Sequence, residues 1–161
     1  MMKRRDVLIA GLGSALFGGA AAQTRIPIAD AHNHLGLLGR RSDAQFRLGA
    51  LMNEAGVSLL SWSVVPDAPF LKLGSNGVEQ GRPIAKGDLK ASFNNQLSSA
   101  TASLLRNGAR ILKTPSDLDL AAKGEAFVVL TSEGADFLEG SLDDLPNAHE
   151  QGIRHIQLVH Y

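Results

Sequence analysis

After residue 40 one pattern repeats along the chain: apolar residues at helical spacing, a single glycine, then a short apolar run. Leu48, Leu51, Met52 and Ala55 lie at helical spacing, Gly56 follows, and Val57 to Val65 reads as a buried strand. Leu89, Phe93, Leu97, Ala100 and Leu104 form a second stripe, closed by Gly108 and followed by Ala109 to Leu112. A short helix with Ser116 as its N-cap, and Asp117 and Asp119 in its first turn, closes at Gly124 before the strand Glu125 to Thr131. Ser141 to Gln151 is a further helix, ending at Gly152 before the strand Ile153 to Val159; Pro146 fits poorly inside it. Each glycine stands where a helix C-terminus needs a left-handed residue. Strands alternating with helices predict an α/β fold with a parallel sheet and helical crossovers.

The period alone does not separate an open sheet from a barrel. No glycine-rich nucleotide loop follows any strand after the N-terminal segment. At 161 residues the chain is one domain at most and too short for a whole eight-stranded α/β barrel, which takes about 250 residues. Its 16 basic and 16 acidic side chains cancel, which argues against nucleic acid or an anionic surface as the main partner. With no cysteine it has no disulfide, thiolate metal site or cysteine nucleophile.

Residues 1–22 read as an export signal. Lys3, Arg4 and Arg5 precede an apolar run ending in Ala20-Ala21-Ala22, and cleavage is expected before Gln23. The run is too short and glycine-rich for a good membrane span. The paired arginines resemble a twin-arginine signal, the route that carries folded proteins to the periplasm or beyond; an ordinary export signal is the alternative. The domain proper is then 23–161. Pro66 to Asp88 is a long connection leaving the C-terminal end of the second strand, where parallel α/β folds bind ligands. It reads as a lid or substrate wall, or else as a surface insertion.

Ile26-Pro27-Ile28-Ala29-Asp30-Ala31-His32-Asn33-His34 predicts a first strand with positions 26, 28, 30, 32 and 34 on one face. Ile26 and Ile28 would enter the core. His32 and His34 would follow at the strand's C-terminal end as metal ligands, the alternative being a structural pair. Asp30 would hold a ring nitrogen or bind metal itself. Glu133 shares parity with Phe127, Val129 and Thr131, so its carboxylate points to the same rim and can bridge two cations; otherwise it is a helix-start acid. His160 shares parity with Arg154, Ile156 and Leu158 and can donate to a substrate oxyanion. His149 and His155 read as structural or solvent-facing, and Trp62 as core.

Asp30 to Leu35, Ser132-Glu133-Gly134 and Gly152 to His160, in this order and separation, together resemble the membrane (renal-type) dipeptidase family, as does Leu60 to Pro66. The resemblance spans most of Ile26–Tyr161. It implies a (β/α)8 TIM barrel of the metal-dependent hydrolase type, with two zinc ions and a dipeptide substrate. It gives His32 and His34 the first-strand ligand positions, Glu133 the bridging position and His160 that of the substrate-polarising histidine. The family usually has Asp where His34 stands. It also supplies two further ligand histidines, which no remaining histidine here can fill. The sequence is therefore expected to be the N-terminal half of the enzyme, inactive alone, with exposed sheet edges that invite association, for instance as a homodimer. Another amide or ester hydrolase of the wider superfamily, or a non-catalytic exported fragment, are the alternative expectations.

Overall fold

The computed structural model describes residues 27–34 and 47–160. The expected export signal 1–22, together with Ile26, Leu35 and Tyr161, lies outside them. The elements are β1 (Ile28–Asn33), α1 (Leu48–Ala55), β2 (Val57–Val64), β3 (Leu71–Gly74), β4 (Gly77–Gln80), α2 (Asp88–Arg106), β5 (Arg110–Ile111), α3 (Pro115–Ala122), β6 (Phe127–Glu133), α4 (Leu145–Glu150) and β7 (Ile153–Gln157). Short 3-10 turns lie at Ala68–Phe70 and Asp136–Leu138.

The sheet is α/β and parallel. β1 pairs with β2 and β2 with β6, while β5 and β7 share the remaining edge of β6. β5 covers only Phe127 and Val128, and β7 runs beside Leu130 to Glu133. The four longer strands therefore stand in chain order, β1-β2-β6-β7. The core takes Leu60, Trp62 and Val64 from β2 and Val128 and Leu130 from β6, all of one parity. Against them pack Leu48 and Met52 of α1, Phe93, Leu97, Ala100 and Leu104 of α2, and Ala148 of α4. Leu51, on the expected α1 stripe, is exposed. The other parity, Ser61, Ser63, Val129, Thr131 and Glu133, faces away from these helices. No helix among the described residues is long and apolar enough to cross a membrane.

The expected glycines adopt positive φ, at 75, 65, 96 and 109° for Gly56, Gly108, Gly124 and Gly152. At Gly56 this closes α1, with its N–H donating to the carbonyls of Met52 and Asn53.

Several expectations are corrected. Ile28 is half-exposed rather than core, because no strand covers the outer flank of β1 among the described residues. Asp30 does not share the face of His32 and His34. Asp30 pairs with Leu60 and Asn33 with Trp62, so β1 spends three residues where β2 spends two. This bulge breaks the alternation. The strand expected over Ala109 to Leu112 pairs through two residues only. The connection Pro66 to Asp88 holds an antiparallel hairpin, with Leu73 opposite Val78. The helix expected from Ser141 starts at Leu145, which puts Pro146 in its first turn, where the missing N–H costs nothing. β7 ends at Gln157, and its register sets His155 and Gln157, not Arg154 and Ile156, on the face of Thr131 and Glu133.

Thr114, not Ser116, caps α3, because the helix already starts at Pro115. The Thr114 hydroxyl accepts the Asp117 N–H at 3.2 Å, and Asp117 Oδ2 accepts the N–H groups of Lys113 and Thr114 at 2.9 and 2.8 Å. The Lys113 N–H, then the Thr114 N–H and hydroxyl, hold the Asp117 carboxyl below its ordinary value of 3.8. A depressed folded-state value stabilises the fold above the unfolded value and is lost as pH falls through the folded one. Thr114→Ala is expected to cost about 1 kcal/mol in thermal or urea unfolding. Asp117→Asn should lose less stability than the parent between about pH 5 and pH 2. Parallel losses in parent and variant would show that this carboxylate contributes no acid sensitivity.

Candidate metal centre

Three strand ends build the site. β1 brings His32 and His34, β6 brings Glu133, and the segment after β7 brings His160. His34 Nε2 lies 2.9 Å from Glu133 Oε2, His32 Nε2 lies 3.5 Å from the same oxygen, and the two Nε2 atoms are 2.9 Å apart. The ligand atoms of these three side chains all lie within 4.8 Å of one another. His160 Nε2 stands 3.7 Å from Glu133 Oε1. The sequence reading thus names four side chains that the fold brings together. Asp30 is not among them: its Oδ1 accepts the His32 backbone N–H at 3.2 Å and its Oδ2 the Asn33 amide at 3.0 Å, so it braces the bulge. His149 and His155 are exposed and outside the group.

The donor set fits a divalent cation. Zinc bonds of about 2.0–2.1 Å at tetrahedral angles separate neighbouring ligand atoms by about 3.3 Å. The three observed separations, 2.9, 2.9 and 3.5 Å, bracket that figure. Two imidazole nitrogens and a carboxylate oxygen are also the ligand types zinc takes. His34 Nδ1 lies 3.3 Å from the Ser63 carbonyl oxygen, an acceptor that puts the proton on Nδ1 and leaves the Nε2 lone pair for a cation. His32 Nδ1 lies 3.4 Å from Ser63 Oγ, which is in turn 2.6 Å from Thr131 Oγ1. Both hydroxyl residues are buried under the site.

The turn after Glu133 keeps its carboxylate at the rim. Gly134 has φ 96° and donates its N–H to the Gln157 carbonyl at 3.1 Å. A Cβ there would collide with the Asp136 carboxylate and meet His160 Cβ at 3.5 Å. A side chain at this position is therefore excluded by both space and conformation.

A cleft of about 310 Å³ opens beside the group. His34, Glu133 and His160 line one part of it, and Leu71, Leu73 and Val78 of the β3–β4 hairpin another. The long connection thus lines one side of the cleft.

Sequence reasoning missed Asp67, whose two oxygens lie 2.8 and 3.0 Å from His160 Nδ1. Its one signal was its place just past the C-terminal end of β2. It also missed Ser63, which shares parity with Ser61 on the face that carries the site. No family model and no curated protein matches this chain.

Proposed function

We propose that the chain carries the first metal-binding strands of a zinc-dependent dipeptidase of the membrane-dipeptidase kind, within a (β/α)8 barrel of which it forms about the N-terminal half. The convergence of His32, His34 and Glu133 from two strand ends is the observation that carries this reading. The barrel is supported by four long parallel strands in chain order with the core helices against one sheet face, since a doubly wound sheet reverses its order and is covered on both faces. Residues 1–22 export the protein, through the twin-arginine route in this reading, to the periplasm or beyond.

His32, His34 and Glu133 would hold zinc, which would supply a Lewis acid able to lower the pKa of a water to about 7 and to polarise a carbonyl. Ser63 and Thr131 fix the imidazole planes from below. The hairpin wall excludes water from one side of the cleft. His160 hydrogen-bonds the substrate carbonyl oxygen and the charge that grows there. A second reading, hydrolysis of another amide or an ester by the wider superfamily, is favoured by His34 at the position where the dipeptidases usually have Asp.

Zinc titration of this chain tests the site. The parent should bind zinc, and His32→Ala or His34→Ala should weaken binding at least about 10-fold. Equal affinity in parent and variants would overturn the metal site. Hydrolysis of dipeptides against other amides and esters, in the protein at its full natural length and with chelator as control, separates the two readings. Hydrolysis that survives chelation and His32→Ala would overturn both.

A further inference from the structure

The pairing of Asp67 with His160 joins two parts of the molecule far apart in sequence. Asp67 is the first residue past Pro66 at the end of β2, and its two oxygens sit 2.8 and 3.0 Å from His160 Nδ1. The two side chains are only 13% and 12% exposed. The ring's other nitrogen faces Glu133, at 3.7 Å, and the ring lines the cleft. We propose that Asp67 is the positioning residue of this site: it holds the His160 ring by Nδ1 and so presents Nε2 to the substrate. This rests on the dipeptidase reading above.

The backbone leading to Asp67 is clamped, which is what a positioning residue requires. Gln96 of α2 accepts the Val65 N–H at 3.0 Å and donates to the Val65 carbonyl at 2.7 Å. One amide side chain thereby replaces a strand partner just where β2 ends. Ser92 Oγ accepts the second Gln96 N–H at 3.0 Å and fixes the amide. Val65 and Pro66 are buried, and the Phe70 N–H closes on the Asp67 carbonyl at 2.8 Å. The carboxylate therefore stands on a rigid turn rather than a free loop.

The chemistry follows from the two ring nitrogens being distinct. Asp67 accepts the Nδ1–H and fixes the ring plane, and with both ring nitrogens carrying a proton Nε2–H is the donor that meets the substrate oxygen. Nε2 then points in one direction instead of sampling several. A fixed ring needs no reorganisation when charge develops on the substrate oxygen, so its effect falls on the chemical step rather than on ground-state binding. Loss of an orienting partner of this kind typically lowers activity about 10- to 100-fold.

Two measurements test it. In the ¹⁵N-histidine-labelled chain, the His160 Nδ1–H resonance should be visible in slow exchange, vanish in Asp67→Ala and persist in Asp67→Asn, whose amide oxygen still accepts. In the protein at its full natural length, Asp67→Ala should lower kcat about 10- to 100-fold with KM and zinc content unchanged. Asp67→Asn should recover part of that loss. In a His160→Ala background, Asp67→Ala should add almost nothing. A resonance indifferent to Asp67, zinc loss in Asp67→Ala, or additive losses in the double variant would overturn the role of Asp67. No dipeptide hydrolysis by the parent would instead overturn the reading on which it rests, a result distinguishable from the others.

Discussion

Glu133→Gln should lower zinc affinity by at least about 100-fold and, in the protein at its full natural length, dipeptide hydrolysis by about 1,000-fold. Glutamine keeps the shape but gives up the charge and one of the two acceptor oxygens. Both oxygens face histidines: Oε2 lies 2.9 and 3.5 Å from His34 and His32, and Oε1 lies 3.7 Å from His160. An amide nitrogen in either place would meet an imidazole nitrogen where a cation needs an anion. The fold should survive, because the carboxylate is partly exposed at the end of its strand, on the face turned away from the core helices. Calorimetric zinc titration, metal content and initial rates read the result. A variant that keeps both affinity and rate would sink the metal centre as described.

Phe137→Ala carries the largest expected loss of stability, about 3–5 kcal/mol. The ring sits 1% exposed in the turn that follows Gly134, stacked on Phe93 of α2 with centroids 3.9 Å apart and planes 8° from parallel. Truncation leaves a cavity between helix and turn that neither can close, since the turn is tied to the strand carrying Glu133. For a domain of this size the loss lowers the melting temperature by roughly 10 °C or more. The same change should loosen Glu133 and weaken zinc binding, a second effect that a remote cavity such as Leu104→Ala would not produce. A melting temperature within about 2 °C of the parent would show that the site relaxes around the deletion.

Much of this arrangement is written locally. Val57 to Val65 and Phe127 to Thr131 are mostly apolar runs and form strands, and the Phe93–Leu97–Ala100–Leu104 stripe is buried as its spacing predicts. Glu133 follows from period two because β6 is regular to its last residue. His160 reached the site by a wrong route: the alternation used for it stops at Gln157, and the backbone beyond the strand delivers the ring. Asp30 failed for a similar reason, since a bulge changes parity without leaving a compositional mark. Thr114 lost to Ser116 because both are good caps and Pro115 decided between them. Asp67 was illegible because its partner lies 93 residues away and its position depends on an amide from another helix.

The misfits between β1 and β2 also bear on any attempt to redesign this rim. Each strand carries its surplus residue at a different place, one between Val57 and Leu59 and the other between Asp30 and Asn33. A strand with one neighbour, as β1 has among the described residues, normally has some freedom to creep along it. This one is indexed like a key in a lock, because a shift of one step aligns neither surplus. Moving the imidazole pair along the sheet would therefore take a deletion in the backbone, and point substitutions alone would leave it where it is.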